Sequence, residues 1–170
     1  MTSIVRDFPL VWSQDPALKR PELPDDATDE QRKAALDEFA RAFKVATETG
    51  RWESLVKEGQ RLTVYRFVLP SRTEATWLHS EGSKLAASGI GDLLFRLSLR
   101  AIDYGTMFAT SQMPKVERVK IDKYLDREIW AVSTEIVDAI DAESKPLDTP
   151  LRELGDALFV MLRDRIRPLS

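Results

Sequence analysis

Residues 62–69, LTVYRFVL, place Thr63, Tyr65, Phe67 and Leu69 on one face of an extended chain and Leu62, Val64, Arg66 and Val68 on the other. Both faces are largely apolar. Such a strand constrains the fold more than any other segment, because its backbone needs ladder partners and its two faces need cover from two sides. Pro70 stops the ladder, and Ser71-Arg-Thr-Glu74 follows as a capping box that opens a helix. Only residues 115–121, KVERVKI, offer a second strand pattern. The expected partners of 62–69 are therefore 115–121 or the extended N-terminal segment. A two-stranded ribbon leaves a free edge open to a partner chain by strand addition.

The remaining punctuation is helical. Thr28-Asp-Glu-Gln31 is another capping box, and Leu36, Phe39, Phe43 and Ala46 recur at helical steps toward Gly50. A shorter piece with Trp52, Leu55 and Val56 inward runs to Gly59. After the second capping box, Ala75, Leu78 and Leu85 mark a helix toward residue 87, with Trp77 beside them. Gly89 and Gly91 read as a break, and Leu93, Leu94, Leu97 and Ala101 as a helix reaching Asp103. Asp126 reads as the N-cap of a long helix with Ile129, Val132, Ile136, Val137 and Ile140 inward. Thr149-Pro150 starts the last helix, lined by Leu151, Leu154, Leu158, Met161 and Leu162.

Residues 1–27 hold four of the nine prolines and no glycine, which predicts an extended arm. Ile4, Val5, Phe8, Leu10, Val11 and Trp12 make that arm too apolar for a solvated linker. It is expected to lie on its own domain or on a neighbour. The fold class that results is α+β, mostly α. Amphipathic helices pack on a small two- or three-stranded sheet, with a proline-rich arm at 1–27 and a single mainly helical domain at 28–170.

Chemistry is sparse. The 170 residues contain no cysteine, which removes disulfides, thiol nucleophiles and thiolate metal sites. His79 is the only histidine, and its neighbours Ser80 and Ser83 give it no triad, so a surface position is expected. Asp122, Asp126, Glu128 and Glu135 could be drawn as a hydrolase set, but caps and solvated faces explain them better. The segment SGIGD, residues 88–92, lacks the spacing of a nucleotide loop and reads as an interhelical turn. Net charge is -3 with a pI near 5.3. That charge disfavours nucleic acid, because Arg96, Arg100 and the C-terminal Arg163, Arg165 and Arg167 lack interleaved aromatics. No window approaches the ~18 apolar residues of a membrane span. MTSIVRDFPLVW is interrupted by charge and proline where a signal peptide would be apolar, so a cytoplasmic protein is expected.

The order TVYRFVLPSRTEA, amphipathic helix, LLFRLSLRAIDYG and then helices rich in Ile and Leu resembles small tail-assembly and virion morphogenesis proteins of tailed bacteriophages. The likeness covers roughly residues 60 to 145, and residues 1–59 have no counterpart in it. The resemblance implies a non-enzymatic structural or assembly protein that binds other virion proteins or itself, without cofactor, metal or small-molecule substrate. It would act in the host cytoplasm during assembly or within the virion. The residues expected to meet a partner are Phe8, Leu10, Trp12, Tyr65 and Phe67. Two other functions fit the same chain: a small enzyme with a dispersed active site, and a regulatory binding protein.

Overall fold

The computed structural model describes residues 7–82, 87–108, 113–144 and 149–166. The fold is α+β and mostly helical, the described residues forming five helices packed with two small antiparallel sheets. Strand β1 (Asp7–Val11) is followed by helix α1 (Asp29–Thr49), a 3-10 turn at Glu53–Leu55 and strand β2 (Val64–Val68). Helices α2 (Arg72–Gly82) and α3 (Ala87–Ser98) lead into strand β3 (Leu99–Asp103). The hairpin strands β4 (Arg118–Tyr124) and β5 (Arg127–Val132) precede helices α4 (Thr134–Ser144) and α5 (Pro150–Ile166).

The 62–69 strand is the middle of a three-stranded sheet ordered β1-β2-β3, antiparallel throughout. Both of its edges are paired inside the chain, so strand addition at β2 is excluded. Its two faces are covered from two sides, as their composition requires. Tyr65 and Phe67 enter the main core with Phe95 of α3, whose ring meets theirs edge-on at 6.3 and 5.4 Å. Leu62 and Val64 enter a smaller core with Val11, Ala17, Leu18, Ala46 and Trp52. Strand β1 divides in the same way, Leu10 toward the main core and Val11 toward the smaller one. Each fully buried side chain of this size contributes about 1.5–3 kcal/mol.

The N-terminal segment is extended, and no helix forms in residues 7–27. It is not a separate arm. Pro9 sits on the edge strand β1, where a missing N–H is tolerated. The turn after β1 is pinned by Asp15, which is fully buried. One carboxylate oxygen accepts from the Ala17 N–H at 2.9 Å and the other from the Thr63 N–H at 3.0 Å. The Thr63 hydroxyl in turn accepts from the Gly105 N–H at 2.9 Å. Gly105 must stay a glycine here, since a Cβ would come within 2.6 Å of the Leu62 carbonyl oxygen.

Both capping boxes form. Thr28 Oγ1 accepts from the Gln31 N–H and Gln31 Oε1 from the Thr28 N–H, and α1 ends on Gly50 at φ 71. Ser71 and Glu74 exchange the same pair of bonds at the start of α2. Helix α5 starts at Pro150 as its sequence signal indicates.

Three expectations are corrected. The run after Leu94 does not stay helical to Asp103: α3 ends at Ser98, and Leu99–Asp103 becomes β3, because β2 needs a second ladder partner. Asp126 is not a helix cap. Leu125 and Asp126 take φ of 51° and 61° and join β4 to β5 as a two-residue turn with both central residues left-handed, the form that matches strand twist. The expected long helix is thus strand β5, with Ile129 and Ala131 buried between exposed Glu128 and Trp130, followed by α4 with Ile136, Val137 and Ile140 inward. Of the two partners expected for 62–69, the N-terminal segment does pair with it, as β1, whereas 115–121, which contributes to β4, pairs with β5 instead.

The glycine segment 88–92 is likewise no turn but part of α3. Gly91 lies against Gly155 of α5, where the two backbones touch. A Cβ on Gly155 would be driven into the Gly91 carbonyl, 2.6 Å from its carbon.

Candidate interaction surface

The five residues expected to bind a partner are occupied by their own chain. Leu10, Trp12, Tyr65 and Phe67 are buried in the main core, and half-buried Phe8 stacks on Phe67 at 6.2 Å between ring centroids. The reason is pairing: once 7–11 joins the sheet, its apolar side chains complete the core that they were expected to leave open.

The candidate catalytic groups do not converge. His79 is exposed on α2. Asp122 accepts from the Trp77 indole N–H at 2.8 Å and from the Lys123 N–H at 2.7 Å. Asp126 lies in the hairpin turn, Glu128 is 3.9 Å from the Lys120 ammonium, and Glu135 is exposed in the first turn of α4. Ser83 lies outside the described residues. Among the described residues, no three His, Asp or Glu side chains stand where they could hold a metal ion. No helix among them is long and apolar enough to cross a membrane.

The arginines have structural work. Arg118 of β4 donates to the carbonyls of Leu97 at 3.0 Å, Leu99 at 2.8 Å and Trp130 at 2.8 Å, tying the hairpin to the C-terminus of α3. Arg100 donates to the same Leu97 carbonyl at 2.7 Å. Two guanidiniums thus share the negative end of one helix. Burial, reinforced by the Arg100 cation and opposed by Glu74, pushes the Arg118 pKa down to about 10. Burial also lowers Arg100, against Glu74. Arg96 pairs with Asp92 at 3.1 Å on α3. Arg163 and Arg165 fall on α5, and Arg167 lies outside the described residues.

Of the exposed large apolar side chains among the described residues, Leu36 and Val45 lie on α1, Phe159 and Val160 on α5, and the other four on the β4–β5 hairpin. Leu125 at its tip is 70% exposed, and Val119, Ile121 and Trp130 are 42–43% exposed. Leu125 is also conformationally costly, since a leucine in the left-handed region loses roughly 1–2 kcal/mol where glycine or asparagine would be at ease. A strained apolar side chain held out into solvent does nothing for the stability of this fold.

The free edge of β4 pairs with no strand among the described residues. It is poorly suited to take one. A bulge between Lys120 and Asp122 breaks its register, and Arg118, Lys120, Asp122 and Lys123 crowd it with charge. These are devices that discourage edge pairing. The hairpin therefore offers side chains rather than backbone.

The signal for this surface is weak in sequence. Tyr-Leu-Asp-Arg has no glycine or asparagine to announce a hairpin turn, and RVKIDKY does not alternate cleanly because of its bulge.

The fold and its surface define a class, a small α+β protein whose β4–β5 hairpin packs on the main core and carries exposed apolar side chains. No family model, curated protein or solved structure matches the chain.

Proposed function

We propose that this protein works by contact, as a structural or assembly protein of the kind that tailed bacteriophages use, with other virion proteins as its partners. The observation that carries the reading is the hairpin, four exposed large apolar side chains on one element with Leu125 strained at its tip. Apolar surface displayed on a rigid element is what a partner's pocket can bury. The resemblance of residues 60–145 to tail-assembly and morphogenesis proteins supplies the setting.

Leu125→Ser combined with Trp130→Ala removes the most exposed and the largest of these side chains while leaving Val119 and Ile121 in place and Ile129 and Ala131 in the core. The double variant should fold with native circular dichroism and fail to enter particles in cells where the wild-type chain is incorporated into them. Normal incorporation of the variant would refute the reading. So would a measurable turnover lost on substitution of Asp122 or His79.

A further inference from the structure

Helix α1 presents a second, independent surface. It runs 21 residues, about 32 Å at 1.5 Å per residue. Phe39, Phe43 and Ala46 turn toward the small core. On the opposite side, Ala34, Glu38, Arg41 and Val45 are all exposed. Their spacing of four, three and four places them in one stripe about 60° wide, the seam positions of a two-helix coiled coil. Glu38 and Arg41 make no ion pair or hydrogen bond among the described residues. Beside the C-terminal part of the stripe lies a shallow open groove of about 500 Å³, lined by Glu38, Arg41, Ala42, Val45 and Ala46 of α1 and by Arg51 and Ser54.

The order apolar, acidic, basic, apolar is self-complementary only when reversed. We propose that two copies of this chain pair through α1, the helices antiparallel about a twofold axis between residues 39 and 40. In that register Glu38 meets Arg41 of the second copy, and Val45 meets Ala34 of the second copy. Each contact occurs twice by symmetry, as an isologous interface requires. The flanks agree: Asp37 comes beside Lys44 of the second copy on one side, and Ala35 beside Ala42 on the other. A parallel arrangement would set Glu38 on Glu38 and Arg41 on Arg41, so charge fixes the orientation. The small residues Ala34, Ala35 and Ala42 let the helices approach closely, and the groove at Ala42 gives the second helix room to seat.

The pairing uses no hairpin residue, so it stands or falls separately from the contact function above. The interface is short, below the standard size for stable complexes, and a dissociation constant on the order of 10 µM is expected. Sedimentation equilibrium on the full chain should show a concentration-dependent dimer. Glu38→Arg and Arg41→Glu each convert two attractive pairs into repulsive ones, and each alone should weaken association about tenfold or more. An equimolar mixture of the two variants restores complementarity and should re-form a dimer, now a heterodimer. The same exchange made within one chain, Glu38→Arg with Arg41→Glu, should also dimerise. These positions are exposed, so every variant should keep native circular dichroism. A wild-type chain that stays monomeric well above that concentration overturns the proposal and leaves the face to solvent or to another protein. A dimer that survives both single reversals overturns it too, since the contact must then lie elsewhere.

Discussion

Gly155→Ala sets two levels of description against each other. Helix propensity alone says that alanine in the interior of α5 should stabilise the protein by about 1 kcal/mol. The packing says the opposite. The new Cβ would lie 2.6 Å from the Gly91 carbonyl carbon and 3.2 Å from its Cα, where carbon atoms normally rest 3.5–4.0 Å apart. Both atoms belong to backbone, so no side chain can swing clear, and α3 and α5 must move apart by about 1 Å at the crossing. Leu94 and Leu97 on α3 and Leu154 and Leu158 on α5 are buried in one core, and a gap of that size forfeits a quarter to a half of each contact across it. Overpacking of this kind costs up to about 3 kcal/mol, which leaves a net loss of about 2 kcal/mol after the gain in propensity. For a chain of this length that is a fall in melting temperature of about 4–8 °C. Urea denaturation of Gly155→Ala beside exposed Ala157→Gly separates the causes, because Ala157→Gly should lose only the propensity term of about 1 kcal/mol. A Gly155→Ala protein as stable as wild type would show that α3 and α5 do not touch there, and the reasoning would fail.

Asp15→Ala leaves the Ala17 and Thr63 N–H groups buried without an acceptor, and the loss should be about 2–4 kcal/mol in chemical denaturation. Burial raises the Asp15 pKa above its ordinary 3.8, against the two N–H bonds and Arg20 that lower it. The folded state therefore holds this proton more tightly than the unfolded chain, so the contribution of Asp15 is full below 3.8 and declines as pH rises through the folded value. Titrating wild type against Asp15→Asn should accordingly shift the stability difference in favour of wild type as pH falls from neutral, and a shift the other way would contradict the burial. Arg118→Met removes the donors to three carbonyls at 2.8–3.0 Å and should cost about 2–3 kcal/mol, with hydrogen exchange rising first in β4 and β5. Leu125→Asn relieves the left-handed strain and should raise stability by about 0.5–1 kcal/mol in urea, and any loss would mean that the leucine packs on its own chain.

Local signals in this chain are strong wherever a few neighbouring residues settle the matter. Thr28 with Gln31, Ser71 with Glu74, and Thr149 with Pro150 each mark a helix start, because a start signal is made by residues no more than three positions apart. The α+β class, the extended N-terminal segment and the two-sided burial of 62–69 were legible for the same reason, being properties of short stretches. Pairing was not. Leu99–Asp103 continues a helical run of leucines, and only the need of β2 for a second neighbour draws it into the sheet. Residues 127–132 carry a helical spacing and an alternating one at once, and the hairpin turn that decides between them is built on Leu125 and Asp126 without a glycine. Phe8, Leu10 and Trp12 advertise contact in the sequence, but whether they meet a partner or their own core depends on where β1 docks. Gly91 and Gly155, 64 residues apart, have meaning only as a pair. The sequence determined which segments could be strand or helix and which faces had to be covered. The tertiary structure decided what covers them, because burial and ladder pairing are settled between residues distant in the chain, where no local pattern reaches.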